Sequence, residues 1–171
     1  MVAETGAGLP DANSYVSEAE ALQDLPSSVI GEWNALTADG RADRLVAASG
    51  FIDVSFGWVG KRKTLGQGLS WPRVGVTWQG HAVPDDTVPR PVKRACIAAL
   101  LMILAEGADV FRSMAEPPVK RERFSVMDTE YFDPRPPAVY ESPHADINKM
   151  LSGLYAPPSK GGVISAEVLR V

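Results

Sequence analysis

Residues 89–105 read PRPVKRACIAALLMILA, and this stretch decides the fold. Pro89 and Pro91 suit the first turn of a helix, where the missing backbone N–H of proline costs nothing. Apolar residues then continue on nearly every side through Ala105, which predicts a helix that is packed against neighbours all round. The apolar run is well short of the roughly 20 residues that a membrane-spanning helix needs. We therefore expect it to be the central helix of the fold.

The chain before this helix carries signals for two short helices. Ser17 is a good N-cap residue, and Glu20 stands at the spacing of a capping box, so a helix should begin here. It should run through Leu25, because Pro26 stops it. A second helix is expected to start at Ser27.

A longer helix follows, from a cap at Thr37 to roughly Phe56. Its apolar residues recur at helical spacing, which predicts one buried face. The residues of this face are Leu45, Ala48, Ile52 and Phe56.

Residues 57–84 break the helical pattern with frequent glycines. Three tryptophans lie between these glycines, and leaving indole rings in water would be costly. We therefore expect a long, ordered loop that its tryptophans attach to the core. They are Trp58, Trp71 and Trp78.

The C-terminal part mixes prolines with short structured segments. Residues 119–132 combine charges with β-forming side chains and predict a short β-hairpin. A last helix is expected from Pro143 or His144 to Leu154, with Ile147, Met150, Leu151 and Leu154 at helical spacing. The sequence thus predicts a mainly α fold: a small helical bundle around a central apolar helix, with a hairpin in domain 1–156 and an extended arm at 157–171.

Composition places the chain among ordinary globular proteins. Its 171 residues are 45% hydrophobic and 22% charged, with a net charge of −4 and a pI near 5.2. This acidic balance argues against gripping nucleic acid as the main task, although a local patch remains compatible with it. Cys96 is expected to be a buried small hydrophobe. The N-terminus lacks the pattern of a secretion signal, so we expect synthesis in a reducing cytoplasm and no membrane association.

The sequence offers little for catalysis or metal binding. His81 and His144 have no Cys, His or carboxylate at metal-ligand spacing. Asp85 and Asp86 precede the central helix, and its dipole explains two acids there without a metal. We expect no enzyme activity, no metal and no cofactor.

Two basic groups are candidate contact sites. Four basic residues are interleaved with the three tryptophans, as in proteins that bind single strands through phosphates and stacked bases: Lys61, Arg62, Lys63 and Arg73. A patch that faces the lumen of a DNA channel or faces a portal protein is equally compatible with these residues. The alternative is that the tryptophans attach the loop to the core and the basic side chains are simply solvated. The second group lies along the predicted hairpin and would form contacts between subunits: Lys120, Arg121, Arg123 and Tyr131.

The C-terminal arm begins with a Pro/Gly-rich hinge and ends in apolar residues. Such a terminus is expected to lie on a partner or on a neighbouring copy. Its apolar residues are Val163, Ile164, Val168, Leu169 and Val171.

An ordered set of motifs resembles a family of small tailed-phage proteins, known as head–tail connectors (adaptors) or as DnaT-like single-stranded DNA-binding proteins. The most distinctive string is Leu69-Ser70-Trp71-Pro72-Arg73-Val74-Gly75, which follows Gly60-Lys61-Arg62. The set spans most of residues 10–155 and leaves out the tail from about Pro157. Its other pieces are 11–17, 47–53, 56–62, 83–84, 88–95, 119–122 and 130–131.

The resemblance implies a helical connector that forms a ring, usually a dodecamer, in the phage neck, with assembly in the host cytoplasm. Its partners would be the portal protein, the next neck or tail protein (stopper or tail terminator), and the double-stranded DNA that passes through the channel. The alternative is the single-stranded DNA-binding protein of the second label. A third interpretation is a stopper or tail-terminator protein, which would also assemble into a ring.

Overall fold

The computed structural model describes residues 1–107 and 145–156. These residues form a mainly α fold, as the sequence predicts. The predicted hairpin at 119–132 and the predicted arm at 157–171 lie outside the described residues. The helices are α1 (Glu18–Asp24), α2 (Ser27–Ala35), α3 (Ala38–Ser55), α4 (Arg90–Glu106) and α5 (Ala145–Met150).

The N-termini of α1 and α3 are capped as predicted. The Ser17 hydroxyl accepts a hydrogen bond from the backbone N–H of Glu20, and the Glu20 carboxylate accepts one from the backbone N–H of Ser17 at 2.9 Å. The Thr37 hydroxyl accepts from the N–H of Gly40 at 3.0 Å. Each cap satisfies backbone donors that have no partner inside the helix.

Helix α4 is the centre of the fold, with Pro91 in its first turn. It packs mainly against α3 and α5, and also against α1. The face towards these helices is fully buried, whereas Leu101, Met102 and Leu104 are half-buried and Ala105 is exposed. No helix among the described residues is both long and apolar enough to span a membrane. The buried residues of α4 are Val92, Ala95, Cys96, Ile97, Ala99, Leu100 and Ile103.

Two small antiparallel hairpins occupy the segment that the sequence predicts to be a loop. Strand β1 (Lys61–Arg62) pairs with β2 (Arg73–Val74), and β3 (Thr77–Trp78) pairs with β4 (His81–Ala82). The prediction missed them because strands of two residues are too short for an alternating pattern to emerge.

The C-terminal end of the described chain also differs from the prediction. Helix α5 ends at Met150, and turns carry the chain on to Leu154. Gly153, within these turns, has a φ of 85°, a conformation that residues other than glycine rarely adopt. Ala156 then donates a backbone hydrogen bond to Gly57 at 2.8 Å, so this segment pairs with the start of the hairpin region.

Candidate functional site

The Trp71-Pro72-Arg73 string forms the base of the hairpin region. Trp71 is fully buried, and its ring meets that of Trp58 edge-on at a centroid distance of 5.7 Å. The peptide bond between Trp71 and Pro72 is cis. A ring with no exposed face cannot stack on a nucleic-acid base, so Trp71 acts as a core residue. This confirms the expectation that tryptophans attach this segment to the core.

Arg73 lies inward as well, although the sequence suggests it as a DNA or channel contact. Its guanidinium donates hydrogen bonds to the carbonyl oxygens of Val59 (2.6 Å), Gly60 (2.7 Å) and Ser70 (3.1 Å). Burial, and then the nearby charge of Arg62, lower the pKa of Arg73. The planar guanidinium of Arg73 on β2 thus binds the residues just before β1 and joins the two sides of this hairpin. It offers little accessible surface to a ligand.

A partly buried polar network lies beside this string. The backbone N–H of Ser70 donates to the Asp53 carboxylate at 2.7 Å, and the N–H of Trp71 donates to the Tyr15 hydroxyl at 3.2 Å. Burial and the charge of Asp53 raise the pKa of Tyr15. Burial raises the pKa of the Cys96 thiol to about 12, so it remains a neutral core group at ordinary pH.

The other three residues of the predicted basic cluster have different surroundings. Lys61 and Arg62 are exposed on β1. The Lys63 ammonium donates to the carbonyl oxygen of Gly6 at 3.2 Å, which ties it to the N-terminal segment. The structure therefore leaves two of the four predicted basic side chains, Lys61 and Arg62, accessible for contact.

A second basic site lies between α4, α5 and the β3–β4 hairpin. Here a pocket of about 340 Å³ is lined by Arg90, Arg94 and Lys149, together with the indole of Trp78. Both arginines are exposed, and neither forms a hydrogen bond or an ion pair with any described residue. Asp146 lies 3.9 Å from Lys149 at a very exposed position, where an ion pair contributes little.

The sequence does not predict this pocket, although it indicates one part of it. Arg90 and Arg94 stand four residues apart, so they lie on one helical face. Lys149 and Trp78 come from distant parts of the chain and join them only through the packing of α5 and the second hairpin. No spacing in the sequence predicts that these residues lie together.

The remaining predicted site residues carry no further chemistry in the described structure. His81 is exposed on β4, and no group of three or more His, Cys, Asp or Glu side chains that could hold a metal ion occurs in residues 1–107 and 145–156. Several predicted residues lie outside those ranges. They are His144, the subunit-interface candidates Lys120, Arg121, Arg123 and Tyr131, and the arm residues Val163, Ile164, Val168, Leu169 and Val171.

Comparison with known proteins yields one match. No curated protein and no solved structure matches the chain. A family model described as "Putative DnaT-like ssDNA binding protein" matches residues 1–171, the whole chain. The chain therefore belongs to this DnaT-like family.

Proposed function

We propose that the chain is a non-catalytic structural subunit of a tailed-phage neck, a head–tail connector that forms a ring beneath the portal and surrounds the DNA channel. The observation that carries this proposal is the burial of Trp71 and Arg73, the most distinctive residues of the connector-like motif. Their side chains bind the core and backbone carbonyls. A motif used in this way specifies a scaffold, which is what a ring subunit requires.

Exposed apolar side chains support the proposal. Leu65, in the loop between β1 and β2, is 98% exposed, and Val54 on α3 is 82% exposed. Leu22 and Val74 are also substantially exposed. Burying exposed apolar side chains against a neighbouring subunit lowers the free energy of the assembly. The lateral contacts of a ring would bury them in this way.

The C-terminal arm would bind the portal, and the basic residues of the predicted hairpin would form lateral contacts. The modest net charge of −4 suits a channel through which DNA slides without being held. In this proposal the mature location is the phage neck, reached by assembly in the host cytoplasm.

Deletion of residues 159–171 tests the proposed role of the arm. The truncated chain should remain folded but should no longer co-purify with the portal protein of the same phage. A truncated chain that still co-purifies with the portal would contradict this role. A second variant, with the arm's five apolar residues changed to serine, keeps the length of the chain and removes only its apolar surface.

A second candidate function is single-stranded DNA binding. It is supported by the description of the family and by the exposure of Lys61 and Arg62, with a further set of basic side chains at the pocket. It predicts binding to oligonucleotides that weakens steeply with salt, because each phosphate contact releases counterions. No binding at low salt would remove this candidate. Loss of binding in a Lys61→Glu/Arg62→Glu variant would assign the contact to β1.

A further inference from the structure

The pocket at the start of α4 concentrates positive charge that the described residues do not neutralise. Arg90, Arg94 and Lys149 all line it, and the carboxylate of Asp146 lies 3.9 Å from the Lys149 ammonium at a very exposed position. The pocket also lies at the positive end of the α4 dipole. Each of these three cations is exposed, and an anion bound among them would be attracted by all three at once.

One wall of the pocket is an aromatic ring that the fold holds in place. The Trp78 indole N–H donates to the carbonyl oxygen of Ser152 at 3.0 Å. Gly153 passes beside the ring, where an added Cβ would lie 3.5 Å from Trp78 Cδ1. The ring of this pocket-lining residue is therefore fixed from the α5 side.

The turn at the pocket edge has a costly backbone conformation. Gln79 and Gly80, with φ of 50° and 82°, are the two central residues of the β3–β4 hairpin, and Gln79 lines the pocket. A two-residue turn with both φ positive usually has Asn, Asp or Gly at the first position. Glutamine there costs conformational free energy, and such outliers cluster at ligand-binding sites.

We infer that this pocket binds one phosphodiester of a single DNA strand between Arg90, Arg94 and Lys149, with the adjacent base against the Trp78 indole. The inference rests on the second candidate function and assigns it a site away from β1. The combination of cations and one aromatic wall matches the way single strands are held, by charge along the backbone and by stacking on rings. The volume of about 340 Å³ is at the low end for ligand pockets, which suits one nucleotide unit better than a duplex.

The test compares two double variants of the full chain that remove the same charge. Arg90→Gln/Arg94→Gln changes the pocket, whereas Arg41→Gln/Arg44→Gln changes two arginines near the start of α3, whose contacts are with Glu18, Leu36 and Gly40. Binding is measured by fluorescence anisotropy with labelled oligothymidylate, over a range of salt concentrations. Thermal melts verify that each variant is folded.

The pocket variant should bind at least about tenfold more weakly at low salt. The slope of log K against log salt should become shallower by about 0.7 for every phosphate that the variant no longer binds. The α3 variant should match the unmodified chain. Equal weakening in both variants, or none in the pocket variant, would overturn the inference while leaving single-strand binding intact. No binding by the unmodified chain would remove the second candidate function itself.

Two further binding measurements identify the source of the phosphate. A duplex of the same sequence should bind more weakly than the single strand, and inorganic phosphate should compete only at concentrations far above those of the oligonucleotide. Equal affinity for the duplex, or displacement by phosphate at comparable concentration, would overturn the assignment to a single strand. Quenching of tryptophan fluorescence by the strand should be reduced in Trp78→Phe and unchanged in the α3 variant.

Discussion

The hydroxyl of the buried Tyr15 donates a hydrogen bond to the carboxylate of Asp53, which is half-buried near the end of α3. The same carboxylate accepts from the backbone of Ser70, and the same hydroxyl accepts from the backbone of Trp71. This pair therefore connects three parts of the chain: the N-terminal segment, α3 and the Trp-Pro-Arg string. This polar pair is largely shielded from water, and it favours one arrangement of these parts because other arrangements would leave the Tyr15 hydroxyl and the Trp71 N–H unpaired.

Replacing Tyr15 with Phe tests this connection. The variant removes the donor to Asp53 and leaves the backbone N–H of Trp71 without its acceptor, so we expect the free energy of unfolding to fall by about 2–3 kcal/mol. Urea unfolding followed by tryptophan fluorescence measures this. Tyr155→Phe is the matched control, because Tyr155 packs on Phe56 through its ring. Its effect should stay within about 0.5 kcal/mol; equal effects of the two variants would contradict the account.

Arg73→Lys should destabilise the protein despite keeping the charge. A lysine ammonium cannot reproduce the planar guanidinium that reaches Val59, Gly60 and Ser70, so carbonyl oxygens of these residues lose their charged hydrogen-bond donor. We expect a decrease of about 2–3 kcal/mol in the free energy of unfolding, measured in urea. The control is Arg62→Lys, because Arg62 is exposed and its hydrogen bonds are long, at 3.4 and 3.5 Å. A stable Arg73→Lys variant with weakened oligonucleotide binding would instead make Arg73 a ligand contact.

Two neighbouring glycines give a matched test of how the N-terminal segment packs on the β1–β2 loop. A Cβ at Gly68 would lie 2.3 Å from the carbonyl oxygen of Ala12 and 2.9 Å from that of Pro10, whereas a Cβ at Gly66 meets nothing within 4 Å. Gly68→Ala should therefore lower the melting temperature by several degrees, since overpacking costs about 1–3 kcal/mol. Gly66→Ala should leave it nearly unchanged. Similar melting temperatures for the two variants would mean that the segment is not packed on this loop.

The buried thiol of Cys96 predicts a decline of stability in alkali. The thiol pKa rises from 9.0 to about 12 on folding, so above about pH 9 the unfolded chain releases a proton that the folded chain keeps. Because the folded form then binds more protons, the free energy of unfolding falls as pH rises, by up to about 1.4 kcal/mol per pH unit from this group. Below about pH 9 the contribution is fully present. Tyr15 acts in the same direction at higher pH, because its pKa is also raised.

Urea unfolding from about pH 8 to about pH 10 compares the unmodified chain with Cys96→Ala. The variant should be somewhat less stable at the lower pH, because a small cavity replaces the sulfur, and its stability should decline less as pH rises. Parallel pH dependences in the two proteins would contradict the burial of an undissociated thiol.

The helices could be predicted because their signals are local. The capping box at Ser17 and Glu20, the cap at Thr37 and the proline in the first turn of α4 each act within a few residues. The apolar run of α4 likewise identifies the centre of the fold. Such signals need no knowledge of what packs against them.

The two hairpins and the basic pocket depend on contacts between residues that are far apart in the sequence, so local patterns do not predict them. The pair Gln79-Gly80 lacks the usual Asn-Gly or Gly-Gly turn signal, so the second hairpin has no clear local marker. Arg73 looks like a surface charge in sequence, and only the carbonyls around it reveal its structural use. The pocket of Arg90, Arg94 and Lys149 exists because α5 packs beside α4, which no spacing in the sequence indicates.

The central claim is that the chain is a ring-forming connector subunit. The most direct measurement is electron microscopy of the purified full chain, alone and mixed with the portal protein of the same phage. The account predicts closed rings that stack on the portal, with one ring per portal. A chain that stays monomeric in both samples, and that binds single-stranded oligonucleotides instead, would contradict the claim and favour the second candidate function.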